Sequence, residues 1–473
     1  MAETAFTLLT PGNNSGVLGL ARATLDGTTL KVDVVASNLT PGQVHPFHLH
    51  GFLDDRPERP AIFADDADGD GFVETAEGEA NAYGPVIAGL TASGDAAFGL
   101  EVSPDFPVAA ADGTLRFSQT YELDPAVADD AQILERLTAR FEGRFLEFHG
   151  LDLPGGAGAG TPNEVNGAAG YNPQVPVAQG PLLGADAAGV EARTADWLAA
   201  PSPEFLDRGA AALSLLAPYS LDPEGTGPVA PEPPGAAAPA TDTYAALLAP
   251  SNGSGALGLA LVTLDRAATS VTVELAMTGL TPYLEHASHI HGFADDRPSL
   301  LPNYRLDADK DGFVEDDEGE PVVAPVVLAL TEDGTISNAS TGLDFPGADA
   351  SGAFRLSRTY DFDENDPTQA VIFEELTDRL TGREVQVHGL FVPATEGEGT
   401  PGEVNGTAGY KATLPVANGI LLPVTDAAEA AQDFAALGKT LEMTAMNPPS
   451  PLDWDVVAAQ VVANYEATGQ WFL

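Results

Sequence analysis

Polar and apolar residues alternate along much of the chain in short runs, and the runs come in matched pairs. "TLKVDVVASNLTPG" (29–42) and "SVTVELAMTGLTPY" (270–283) alternate and then break at a Pro-containing turn. "TLRFSQTYEL" (114–123) and "AFRLSRTYDF" (353–362) alternate in the same way. A period of two is the mark of a strand with one buried face, and Gly, Asn and Pro bound the runs as turn residues do. Many short strands of this kind predict an antiparallel sandwich or barrel. The period lengthens to a helical one in "AQILERLTARF" (131–141) and "AVIFEELTDRL" (370–380). Two further helices are expected from Ser202-Pro203 and Ser450-Pro451, with Ser as N-cap and Pro in the first turn, their apolar positions packing on the sheets. No apolar run approaches the ~18–20 residues of a membrane helix, so no membrane span is expected.

The pairing of runs extends to the whole chain. "SGVLGLARATLD" (15–26) returns as "SGALGLALVTLD" (254–265), and "TPNEVNGAAGYNPQVPVAQGPLL" (161–183) as "TPGEVNGTAGYKATLPVANGILL" (400–422), at an offset between 239 and 241 residues. This is the tandem duplication of a domain, too long in period for a solenoid. The expected fold is all-β: two tandem Greek-key sandwich or barrel domains, each followed by a short helical tail. The expected boundaries are a β domain at 1–185, a helical extension at 186–220, a Pro/Ala-rich linker at 221–241, a second β domain at 242–424 and a helical tail at 425–473.

The chain has eight histidines, and all fall into the repeated segments. "VHPFHLHG" holds His45, His48 and His50, and "LEHASHIHG" holds His286, His289 and His291. "FLEFHG" ends in His149 and "VQVHG" in His388. In a strand, positions i and i+2 share a face and lie about 7 Å apart. His48 and His50 therefore project together, with Phe47 and Leu49 on the opposite side, and His289 and His291 repeat this. A late strand lying alongside would add His149 to the first pair and His388 to the second. Two three-imidazole metal sites are the expected result.

Composition narrows the chemistry. With no cysteine, disulfides, thiolate zinc sites and copper sites with a Cys ligand are excluded. Seventy acidic against twenty basic residues give a net charge of −50, so nucleic acid is not an expected partner. Such a surface suits high salt or a cation-rich envelope. The start "MAETAFTLLT" lacks a basic stretch followed by an apolar one, so no signal peptide is expected in this sequence.

Three segments together resemble the Cu/Zn superoxide dismutase family. "LTPGQVHPFHLHGFLDD" resembles its copper strand. "GRFLEFHG" and "GREVQVHG" resemble its later His-bearing strand, and "NGAAGYN" and "NGTAGYK" its C-terminal Gly-Asn-Ala-Gly-x-Arg segment. The order of the family is kept in both units, over roughly 5–55 and 142–183 and again over 243–296 and 381–422. The resemblance implies copper ligands His48, His50 and His149 in unit 1 and His289, His291 and His388 in unit 2. It also implies a supporting role, without metal contact, for His45 and His286. The family's bridging and zinc histidines and its disulfide have no counterpart. The chain thus resembles the copper-only branch: one copper per repeat, no zinc, and superoxide as the small-molecule substrate, dismuted to O2 and H2O2. The family's substrate-attracting Arg is replaced by Asn172 in unit 1 and Lys411 in unit 2. A cation at Lys411 predicts modest activity, greater in unit 2. Arg56 and Arg297 are candidate substitutes, but salt bridges to the aspartates that precede them are the preferred expectation.

Between the matching segments lie two acidic loops. "DADGDGFVETAE" (66–77) and "DADKDGFVEDDE" (307–318) fit the twelve-residue calcium loop. The expected ligands are Asp66, Asp68, Asp70, the Phe72 carbonyl and Glu77, then Asp307, Asp309, Asp311, the Phe313 carbonyl and Glu318. The flanks do not read as an entering helix. One structural calcium per repeat is expected, in a loop inserted in a β domain and holding the wall of the copper site. Glu164 and Glu403 are candidates for the copper entrance, and "GGAGAG" (155–160) for a flexible loop. Weak calcium binding suits the periplasm, the cell envelope or the exterior, with an envelope or surface-layer partner; the cytosol of a halophile is the alternative. Non-catalytic copper sequestration or delivery, and a calcium-dependent surface protein, are the competing functional expectations. Oligomeric state is not legible.

Overall fold

The alternating runs form strands, and the alternation sets which face is buried. In the computed structural model of the chain, residues 2–54, 56–161, 163–184, 199–216, 241–295, 297–394 and 396–424 are described. The chain divides into two units, Met1–Ala217 and Pro218–Leu473. The expected linker at 221–240, most of the first helical extension and the whole of the tail from 425, including the helix expected at Ser450-Pro451, lie outside the described residues.

Unit 1 contains β1 (Glu3–Pro11), β2 (Leu18–Asp26), β3 (Thr29–Ser37), β4 (Phe47–His50), β5 (Val86–Leu90), β6 (Ala96–Ala97), β7 (Leu115–Glu122), β8 (Phe145–Leu153), β9 (Gly170–Pro181) and β10 (Leu183–Gly184). Their order is β6-β5-β4-β8-β9-β1-β2-β3-β7, with β10 beside β1, and every pairing between them is antiparallel. Three hairpin-linked strands, β1 to β3, are joined by the returning β9 next to β1, which is the Greek-key order. Unit 2 repeats this with β11 (Thr241–Pro250), β12 (Leu257–Asp265), β13 (Ser270–Thr278), β14 (Ser288–His291), β15 (Val326–Ala329), β16 (Phe354–Asp361), β17 (Glu384–Val392), β18 (Gly409–Ile420) and β19 (Leu422–Val424). The order is β15-β14-β17-β18-β11-β12-β13-β16, with β19 beside β11. Both units are antiparallel β-sandwich or barrel domains.

In β7 the buried residues are Leu115, Phe117 and Tyr121, with Arg116 and Thr120 facing out. Phe47 stacks on Phe148 at 4.1 Å between ring centroids and meets the edge of Phe117 at 6.3 Å. The apolar side of the histidine strand is therefore core.

The helices are α1 (Thr75–Asn81), α2 (Ala128–Ala139) and α3 (Ser202–Leu216) in unit 1, then α4 (Asp316–Val323) and α5 (Pro367–Asp378) in unit 2. α2 and α5 begin three residues before the runs read from the sequence. α3 docks as expected on the sheet: Phe205, 1% exposed, packs with Phe6. Beside it Asp33 takes Arg22 at 2.5 Å and the Ser202 hydroxyl at 3.0 Å.

A buried arginine joins α2 to the end of β4. Arg144 is fully buried, donates to the carbonyls of Arg136, Arg140 and Phe52, and pairs with Glu58 at 3.0 Å. Cations at a helix C-terminus satisfy its orphan carbonyls and its dipole. Only glycine fits at Gly51, because a Cβ there would overlap the Arg144 side chain; Gly292 stands in the same relation to Arg383.

Candidate metal centre

β4 lies between β5 and β8, with His48 opposite Glu147 and His50 opposite Phe145. His149 enters from β8 at an irregularity, where the β8–β9 register shifts on both sides of it. Such bulges re-aim a side chain. Gly150, at φ +112°, completes the distortion, and a Cβ there would overlap the Tyr171 hydroxyl. Unit 2 repeats the shifts at His388, followed by Gly389 at φ +107°.

The result is two triads. One ring nitrogen from each of His48, His50 and His149 lies within 4.8 Å of the others, and the same holds for His289, His291 and His388. All six rings are at most 4% exposed. In unit 1 the outer nitrogens are engaged: His48 Nε2 with the Glu101 carbonyl at 3.0 Å, His50 Nδ1 with Gly84 at 2.9 Å and His149 Nδ1 with Gln174 at 2.7 Å. A carbonyl only accepts, so each of these nitrogens carries the hydrogen and the neutral ring turns its other lone pair inward. One Nδ1 and two Nε2 atoms are thus left without a hydrogen-bond partner. In unit 2, His291 Nδ1 meets the Ala324 carbonyl at 2.8 Å and His388 Nδ1 that of Thr413 at 2.6 Å, leaving their Nε2 atoms inward. Buried lone pairs without donors fit a metal ion.

Burial lowers the pKa of His48 and His289 well below the ordinary value, and takes His50, His291 and His388 to about 4. The rings are therefore neutral and able to ligate at neutral pH. For His149 burial also pulls downward, but the Glu147 carboxylate more than offsets it and the pKa is raised. His45 and His286 lie outside the triads. His45 spans the carbonyls of His149 (2.9 Å) and Thr40 (3.0 Å), and His286 those of His388 (2.8 Å) and Thr281 (3.0 Å). Each ties the turn before the strand to the third histidine. Phe106 and Phe345 set their edges against His48 and His289 at 5.2 and 5.3 Å.

Two residues at the centres were not singled out from the sequence. Glu147, fully buried, places Oε2 3.3 Å from His50 Nε2 and 3.1 Å from His149 Nε2. Period-two alternation in "FLEFHG" would have found it, since a residue two before His149 shares its face. Tyr83 lays its ring 4.8 Å from His50 and stacks on Phe145. It comes from the connection after α1, where no motif marks it.

The residues considered for attracting an anion are placed differently from one another. Asn172 is held inside its own loop, donating to the Glu164 carbonyl at 2.7 Å and accepting from Gln174 N at 3.0 Å. Lys411 is buried, 6% exposed; burial lowers its pKa, opposed by Glu403 and Glu315. Arg56 and Arg297 each lie 3.6 Å from an aspartate, Asp54 and Asp295, and over the rings of Phe52 and Phe293. Glu164 accepts from Thr75 N at 3.3 Å and acts electrostatically on His149, while Glu403 is held by the Thr413 hydroxyl at 2.7 Å.

The acidic loops close on themselves. Asp66 accepts from Gly69 and Gly71 at 2.8 Å each, Asp70 from Phe72 at 2.9 Å, and Glu77 from Ala67 at 2.7 Å. In unit 2 Asp307 accepts from Lys310 and Gly312, Asp311 from Phe313, and Glu318 from Ala308. Carboxylate oxygens of Asp66, Asp68 and Asp70 converge, as do those of Asp68, Glu74 and Glu77, and in unit 2 those of Asp307, Asp309 and Glu318. The buried Asp311 Oδ2 has no hydrogen-bond partner, as an oxygen reserved for a hard cation would be. Glu74, at position nine of the first loop, belongs to one of these converging groups although the twelve-residue motif does not mark it, and Glu315 at the matching place is buried and accepts from Val404 N at 2.6 Å. Among the described residues no entering α-helix precedes either loop, only a 3-10 turn at Phe63–Asp65 in unit 1, while α1 and α4 leave them. The segment that follows the glycine-rich run is pinned across the first loop, Asn163 donating to Asp68 at 2.6 Å and Val165 N to Glu74 at 2.6 Å.

No protein-family model and no curated protein matches this chain.

Proposed function

We propose that each unit binds one copper ion at its histidine triad, with calcium in the adjacent acidic loop as a structural ion, and that the protein dismutes superoxide. The observation that carries this reading is the inward convergence, in both units, of three buried imidazole nitrogens whose partner nitrogens are all or mostly fixed by backbone carbonyls. Those carbonyls set tautomer and ring orientation, as carbonyls beside metal-bound histidines do. Bound copper would supply the one-electron couple, so that two superoxide ions and two protons become O2 and H2O2. The chain's own part is to hold the rings, exclude bulk water and keep the imidazoles neutral. Calcium in the loops suits the periplasm, the envelope or the exterior, where that ion is abundant.

The near-complete burial of the six rings, and an Asn172 and a Lys411 that present no exposed cation, favour a second reading: copper holding without turnover. Metal analysis and superoxide decay, compared between the native chain and a His48→Ala/His289→Ala variant, separate the two. Dismutation requires that decay fall with copper content. Loss of copper with unchanged decay leaves only holding, and a native chain that retains no copper removes both.

A further inference from the structure

Among the differences between the two triads, one falls on the strand that carries the third histidine. Glu147 in β8 and Gln386 in β17 occupy the same place, two residues before the third histidine and directly opposite His48 and His289. Glu147 is fully buried, and neither oxygen makes a hydrogen bond of good geometry. Its Oε2 lies 3.3 Å from His50 Nε2 and 3.1 Å from His149 Nε2. Both of those rings already donate through Nδ1, to Gly84 and Gln174. The two inward ring nitrogens and the carboxylate oxygen thus gather in one small buried volume, a concentration of donor atoms that a cation would hold together. The separations are also those of neighbouring donors around one ion: metal–nitrogen bonds of about 2.0–2.1 Å in a tetrahedron put adjacent donors about 3.3 Å apart. In unit 2 the matching group is the neutral amide of Gln386, whose buried Oε1 has no partner. The buried carboxyl there, Glu384, stands one strand pair further along, opposite His291.

We propose that Glu147 Oε2 is the fourth donor of the unit 1 centre. Unit 1 then carries a closed site of three imidazoles and one carboxylate, and unit 2 a three-imidazole site with an open position. This rests on the reading that the triads hold metal. Closed four-donor sites hold an ion structurally, whereas open ones admit substrate. An anionic oxygen donor also favours a divalent ion over Cu(I), which prefers softer ligands. Unit 1 is therefore the retaining site and unit 2 the one that cycles.

The test loads the full chain with Cu(II), with calcium in excess, and follows both copper equivalents by electron paramagnetic resonance while a chelator is titrated in. The native chain is expected to show two distinct Cu(II) signals, one surviving to higher chelator concentration. Glu147→Gln, which installs the side chain unit 2 already accommodates, is expected to change the tighter signal alone and lower its retention at least about tenfold. Gln386→Glu is expected to convert the weaker signal toward the tighter one, and it keeps the proposal open to refutation should the first variant not fold. Two bound equivalents whose signals and retention are untouched by both variants would overturn the fourth-donor assignment and leave the triads standing. A native chain that binds no copper stoichiometrically would overturn both.

Discussion

Arg144 shows how one side chain can hold the histidine strand in place. Its guanidinium ties the last carbonyls of α2 and the Phe52 carbonyl, two residues after His50, and balances the buried Glu58. Removing one partner of a buried ion pair leaves a charge without compensation, at a cost of about 3–5 kcal/mol. Arg144→Met is expected to lose that much in chemical denaturation; Arg140, which also reaches Glu58, places the expectation at the lower end. A loss below about 1 kcal/mol would show that the clamp is dispensable. The triad residues were legible because two of each three stand at strand spacing and all eight histidines of the chain sit in duplicated positions. Glu147 was less so. A glutamate in an apolar strand carries no signature of its own until the opposite strand shows which groups it faces.

At the level of elements, the acidic loop and the histidine triad of unit 1 are joined through α1. Glu77 closes the loop, and two residues earlier the Thr75 hydroxyl donates to the Gln174 carbonyl at 2.5 Å, the same oxygen that receives His149 Nδ1. Ordering the loop therefore positions the third histidine of unit 1. Without a cation, burial with mutual repulsion raises the loop carboxyls: Asp66 and Asp307 to about 6, Glu74 and Glu315 to about 7, Asp70 and Asp311 to about 8. A carboxyl whose folded pKa is raised holds its proton longer when folded, so its contribution to stability is present below about pH 4 and is lost as pH rises through the folded value. The melting temperature of calcium-free protein is thus expected to fall between about pH 4 and pH 8, and added calcium to restore it mainly at the upper end. A calcium effect that does not grow with pH would contradict this. Chelating calcium is also expected to alter the Cu(II) signal of unit 1.

Across the molecule, a net charge of −50 opposes an anionic substrate, and neither Asn172 nor Lys411 presents an exposed cation against it. Salt screens such repulsion. Superoxide decay is therefore expected to quicken as ionic strength rises from about 10 mM toward 150 mM, the opposite of an electrostatically steered reaction. The units are also expected to contribute unequally. Replacing His289 and His291 by Ala should remove most of the decay, whereas replacing His48 and His50 should remove little, because the proposed assignment gives the open coordination position to unit 2. Equal losses would refute that ranking.

The duplication, the strand-and-turn grammar, the paired histidines and the twelve-residue acidic loops were all determined by the sequence alone. Each is a local pattern, and the period of a strand or the spacing of a loop dictates which side chains share a face. Only the tertiary structure decided which strands lie together. The β4–β8 and β14–β17 pairings, with the bulges at His149 and His388, bring residues about a hundred positions apart onto one ion-sized volume. Those pairings also decided that Glu147 lies opposite His48 and Gln386 opposite His289. Strand neighbours depend on how the whole core is buried, and no local period records that choice.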